Sequence, residues 1–102
     1  MSKAKAPLPP RVVQALAKLG ADLKNARRRR RMPMAYVAEL ARISRSTLYK
    51  AERGHPGVSL RTLANLLVGY GMLERLEHLM DVRWDRTGLA QEEGRLPRRI
   101  RS

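Results

Sequence analysis

The sequence contains no cysteine, which excludes both a disulfide framework and a thiolate metal site. Its two histidines, His55 and His78, lie far apart and have no ligand spacing. It lacks a run of about eighteen apolar residues, so no membrane span is expected. The opening MSKAKAPLPP lacks the apolar stretch of a secretory leader. A glycine-rich phosphate loop, a carboxylate cluster and a nucleophile–base pair at a known spacing are also missing. The expectation is a soluble cytoplasmic protein without cofactor, metal or enzymatic activity. Acid is scarce as well. Nine Asp+Glu stand against 22 Lys+Arg, a net charge of +13. That imbalance points to a polyanionic partner, because neutralising phosphates releases condensed counterions; the alternative is a well-solvated basic surface. The excess is local: residues 1–31 hold ten basic side chains and a single acid, Asp22.

At 102 residues the chain can bury one modest core. Residues 1–9 are small, basic and proline-rich, and read as a flexible, disordered arm. From Pro10 the positions Val12, Val13, Leu16, Leu19, Leu23 and Ala26 repeat at helical intervals, with Gly20 as a weak point where the helix can break. Pro10 suits a first helical turn, and the arginines 27–31 suit the negative pole of a helix end. Pro33 forbids simple continuation. A second short helix is expected over 34–41. Arg42 and Ile43 form a turn, and Ser44 caps a third helix over 45–53, which Gly54 terminates. Ser59 caps a fourth helix carrying Leu60, Leu63, Leu66 and Leu67, ended by Gly69 and Gly71. A fifth is expected over 72–80 with Leu73, Leu76 and Leu79. The fold class is all-α, five helices in a domain over 10–80, followed by a mixed-charge tail over 81–102 whose only candidate β pattern is left open. Asp81 and Asp85 read as a helix end and a tail charge.

Two short helices joined by a tight turn present one helix to the major groove of DNA. At about 100° per residue, Arg45, Ser46, Tyr49, Lys50 and Arg53 share one arc of the third helix. Thr47, Leu48, Ala51 and Glu52 share the opposite arc. A front of donors on an anchored back is what base reading requires. The stretch MAYVAELARISRSTLYKAERG resembles the XRE (Cro/cI, lambda-repressor-like) helix-turn-helix family, and LGADLKNARRR before it resembles that family's first helix. The resemblance covers residues 19–80. It implies that Ala38 lets the two motif helices approach closely and that Leu48 and Ala51 hold the reading helix on the core. It also implies that Arg27 pairs with Glu52 and so does not touch DNA. Two positions depart from the family: Met34 stands where a phosphate-binding glutamine is usual, and Arg42 replaces the turn glycine. Tyr36 is a substitute for the first, and the second requires a left-handed backbone.

Base contacts are accordingly expected from Arg45, Ser46, Tyr49 and Lys50, although Tyr49 is equally suited to covering the helix edge. Backbone contacts are expected from Arg28, Arg29, Arg31, Tyr36, Ser44, Thr47 and Arg53, against the alternative that 28–31 is a solvated helix end. Ser59 reads as a cap rather than a phosphate ligand. Leu73, Leu76, Leu79, Met80 and Trp84 are expected at a dimer or partner interface, where aromatic anchors are enriched. The segment RRMPMAYVAELARISRSTLYKAERGHPGVSL, with the tail GLAQEEGRLPRRIRS, is similar to HipB-like antitoxins encoded beside HipA-like kinase toxins. The expected function is a homodimeric, nucleoid-associated repressor on a palindromic double-stranded operator. Its narrower form is an autoregulating antitoxin with a HipA-like kinase partner. The alternatives are a free-standing regulator and non-specific coating of nucleic acid.

Overall fold

A computed structural model describes residues 6–95; residues 1–5, part of the expected arm, and 96–102, the basic ending, lie outside the described residues. Every regular element among them is helical: α1 (Pro10–Arg29), α2 (Met34–Ala41), α3 (Arg45–Glu52), α4 (Leu60–Gly69), α5 (Leu73–Glu77), a 3-10 turn (Val82–Trp84) and α6 (Arg86–Arg95). The chain divides into two compact units, Met1–Met72 and Leu73–Ser102.

In the first unit α1 starts on Pro10, whose missing N–H costs nothing in a first turn, and ends with Arg27, Arg28 and Arg29 at its negative pole. Gly20 does not break it. It is buried where α1 crosses the end of α3, and a Cβ there would lie 2.8 Å from the Glu52 carbonyl oxygen and 2.9 Å from that of Ala51. The glycine therefore permits backbone-to-backbone contact between the two helices, and this outweighs its low helix propensity.

Helices α1 to α4 all close in the same way. A residue with positive φ follows the helix, and the next N–H reaches back to a carbonyl five residues earlier. These bonds are Met32 to Arg27 (3.2 Å), Ile43 to Ala38 (2.9 Å), His55 to Lys50 (3.0 Å) and Met72 to Leu67 (2.8 Å). Gly54 and Gly71 occupy two of the left-handed positions at φ 71° and 72°; arginines occupy the others, Arg31 at 55° and Arg42 at 58°. At their starts, α3 and α4 carry matching caps. The Ser44 and Ser59 hydroxyls accept from the Thr47 and Thr62 N–H groups at 2.9 and 3.0 Å.

The core gathers Leu23 and Ala26 of α1, Val37, Ala38 and Ala41 of α2, Leu48 and Ala51 of α3, and Leu66 with Tyr70 from α4 and its end. Leu48 is completely buried. Ala38 and Ala41 of α2 and Ala51 of α3 are all buried in this core, small side chains that let the short helices sit close to it. The Asn65 side chain donates to the Ala41 carbonyl at 3.1 Å and ties α4 to the end of α2.

The second unit differs from the sequence expectation. The fifth helix spans five residues rather than 72–80, and none of them is buried. The continuation loosens into bonds of shorter span, Leu79 to Leu76 (3.2 Å) and Asp81 to His78 (3.1 Å). The tail, expected to lack helical pattern, winds into the 3-10 turn and α6. Two aspartates start them. Asp81 accepts from the Arg83 N–H at 2.9 Å, and Asp85 accepts from the Gly88 N–H at 2.9 Å. Both are caps, which corrects the reading of Asp85 as a tail charge. The α6 region shows no β-strand.

Candidate nucleic-acid interface

Helix α3 is anchored before it is displayed. Its inner side buries Leu48, Ala51 and Glu52. Arg27 Nε donates to Glu52 Oε2 at 2.6 Å, and Arg27 Nη2 to Oε1 at 3.1 Å, with both side chains largely buried. The third guanidinium nitrogen, Nη1, reaches the Met32 carbonyl at 3.1 Å. One bidentate pair thus joins α1, α3 and the turn leading to α2. Its hydrogen bonds to Glu52 hold the Arg27 guanidinium above its ordinary pKa, against the opposing effect of burial.

Next to this pair lies Tyr70, buried with no hydrogen-bond partner for its hydroxyl among the described residues. Burial first, then the Glu52 carboxylate, pushes the phenol up to about 12; Arg27 and Arg30 oppose this. The Arg30 guanidinium sits 5.4 Å from the Tyr70 ring centre and donates to the carbonyls of Ala26 and Tyr70, each at 2.9 Å. Arg30 is exposed like Arg28, Arg29 and Arg31, but its guanidinium is engaged by the protein, although the run 28–31 looks uniform in sequence.

The outer side of α3 is polar and cationic. Arg45, Ser46, Tyr49, Lys50 and Arg53 are all exposed. Among the described residues Arg45, Lys50 and Arg53 form no ion pair, whereas Lys18, Arg27 and Arg83 are paired with carboxylates. Arg28, Arg29 and Arg31 are likewise exposed and unpaired at the end of α1. Tyr36 stands half exposed on the first turn of α2. That helix has no side-chain cap, because Pro33 precedes it, so its first N–H groups are free to meet an anion. Ser44 and Thr47 are engaged with one another: besides the cap, the Ser44 hydroxyl donates to Thr47 Oγ1 at 2.9 Å. Their hydroxyls brace the start of α3.

The structure also brings in a residue that helical patterning did not single out. Lys24 of α1 shares a concavity of about 220 Å³ with Ala17, Tyr49, Glu52 and Arg53. The only sequence signal was its place two helical turns after Ala17, on the side of α1 made narrow by Gly20. Of the interface residues expected near the C-terminus, Leu73 and Leu76 are half-buried, and Leu79, Met80 and Trp84 are exposed within the second unit. No three His, Cys, Asp or Glu side chains converge as a metal site among the described residues, and no described helix is long and apolar enough to cross a membrane.

No curated protein and no solved structure gives a significant match. A family model described as a helix-turn-helix domain matches residues 18–79, which takes in α1 from Lys18 through α5. With more than half of the sequence matched, and with α2 and α3 joined by a capped three-residue turn, the chain belongs to the helix-turn-helix domain family.

Proposed function

We propose that the chain is a sequence-specific DNA-binding repressor whose α3 lies in the major groove. The observation that carries this reading is the two-sidedness of α3. The Arg27–Glu52 pair and Leu48 clamp its back, while Arg45, Ser46 and Lys50 face outward without ion-pair partners that would have to be displaced, and Tyr49 is exposed beside Arg53. Arginine and lysine match the guanine acceptors of the major groove. Arg28, Arg29 and Arg31, the open start of α2 with Tyr36, and Arg53 supply phosphate contacts around it. Ser44 and Thr47 act mainly by holding the N-terminus of α3 in place.

The regulator works as a homodimer on a palindrome, with half-sites about 34 Å apart so that two copies of α3 enter successive grooves. Leu79, Met80 and Trp84, exposed in the unit that follows the motif, support an assembly surface there together with Leu73 and Leu76. The narrower reading is an autoregulating antitoxin bound to a HipA-like kinase, and it rests on the similarity of residues 30–60 and the tail to HipB-like proteins. Without such a kinase the chain is a free-standing regulator.

The test is selection of duplexes from a random pool by the full chain, followed by binding of Arg45→Ala and Arg29→Ala to selected and random DNA. Arg45→Ala is expected to relax sequence preference, and Arg29→Ala to weaken both duplexes alike while flattening the salt dependence. Identical behaviour of the two variants on both duplexes would refute specific reading. Co-purification with a kinase from the native host separates the antitoxin from the free-standing regulator.

A further inference from the structure

We propose that Lys24, Tyr49 and Arg53 form a seat for a single DNA phosphate, in which the Tyr49 ring positions the Arg53 guanidinium. The seat lies at the crossing of α1 and α3. Ala17, Gly20 and Lys24 recur at helical spacing along the side of α1 that meets α3. Because Ala17 and Gly20 are small, the two backbones touch at Gly20 and Gly54 and leave a hollow of about 220 Å³ between Lys24 and the Tyr49–Arg53 edge. A phosphate group fits within that space.

The lining selects an anion. Lys24 of α1 and Arg53 at the end of α3 are exposed cations, and neither has an ion-pair partner among the described residues. The one acid in the lining, Glu52, has both oxygens engaged by Arg27. The Arg53 guanidinium is already placed, 5.2 Å over the Tyr49 ring centre. An exposed arginine otherwise samples many rotamers, and stacking on a rigid ring reduces the ordering cost of a phosphate contact. Tyr49 is thus a positioning residue rather than a base reader.

The location suits duplex DNA and rests on the reading of α3 as the groove helix. A helix with its side chains is about 10–12 Å across and the major groove about 12 Å wide, so residues at the flank of the reading face meet the groove wall. Tyr49 of α3 and Arg53, the residue that ends it, form the flank nearest α1, with Lys24 beside them. The wall there is sugar-phosphate backbone.

The experiment measures affinity against salt for the full chain on a selected duplex, with thermal melts confirming that each variant folds. Lys24→Ala and Arg53→Ala each lower affinity about ten-fold at low salt; together they reduce the log–log salt slope by about 0.9, the value for one phosphate. Tyr49→Phe stays within about two-fold of the parent, Tyr49→Leu loses about three-fold, and in an Arg53→Ala background Tyr49→Leu has no further effect. A slope change near zero, or near twice that value, overturns the shared seat. An equal loss for Tyr49→Leu with and without Arg53, accompanied by altered base preference, shows that Tyr49 reads a base. A parent chain that binds no duplex refutes the groove reading itself, an outcome distinct from a binding parent with unaffected variants.

Discussion

Replacing Glu52 with alanine leaves the Arg27 guanidinium in a site built for a charge pair. Arg27 loses bonds of 2.6 and 3.1 Å and keeps only the Met32 carbonyl, in a pocket where its side chain is 12% exposed. Removing one partner of such a buried pair costs about 3–5 kcal/mol, chiefly the penalty of an uncompensated charge. A small domain is stable by only about 5–15 kcal/mol, so the loss is a large share of the total. At roughly 4–8 °C per kcal/mol for a domain of this size, the melting temperature falls by about 12 °C or more. The double variant Arg27→Met/Glu52→Leu removes both charges and fills the space with apolar atoms. It should be more stable than Glu52→Ala, short of full recovery because the bond to Met32 is also gone. Urea denaturation followed by circular dichroism, run as a double-mutant cycle with both single variants, measures the coupling. A Glu52→Ala loss below about 1 kcal/mol, or a double variant equal to the sum of its singles, would refute the role given to this pair.

Gly20→Ala brings a Cβ within 2.8–2.9 Å of two carbonyl oxygens that cannot move independently of α3. Overpacking of this kind costs about 1–3 kcal/mol and exceeds the roughly 1 kcal/mol gained in helix propensity, so the variant melts below the parent in a thermal scan. Arg42→Gly acts in the opposite direction. It relieves a left-handed backbone at φ 58° and raises stability by about 0.5–1 kcal/mol, read as a shift of the urea midpoint. Tyr70 sets an alkaline limit. With its phenol at about 12 in the fold and 10 in the unfolded chain, stability is intact below pH 10 and falls as pH rises toward 12. Melting curves between pH 9 and about 12 should show that decline, and Tyr70→Phe should flatten it.

Much of the motif was legible because it obeys local rules. Ser44 and Ser59 read as caps from their chemistry and place alone, and each hydroxyl accepts the N–H three residues on. The resemblance placed Arg42 where a turn glycine is usual and so implied φ > 0 there against arginine's own preference, and its φ is 58°. The wheel over α3 separated front from back because an eight-residue helix has one buried side. Helix α6 escaped the same reasoning. Its sequence RTGLAQEEGR has no apolar stripe, and only the Asp85 cap marks its start.

The sequence by itself therefore determined the helical class, the turn between α2 and α3, and the cationic outer side of α3, since caps, proline and periodicity act within a few residues. Tertiary structure decided everything that depends on what lies opposite a side chain. It tied the exposed Arg30 guanidinium to the Ala26 and Tyr70 carbonyls and gave the equally exposed Arg29 side chain no such bonds, though the two are adjacent and chemically identical. It made Gly20 a contact point instead of a break, and it brought Lys24 beside Tyr49 and Arg53 across a helix crossing. Burial and distance between residues far apart in the chain arise only when the helices pack, and those two quantities set which of the many arginines remain free to meet an anion.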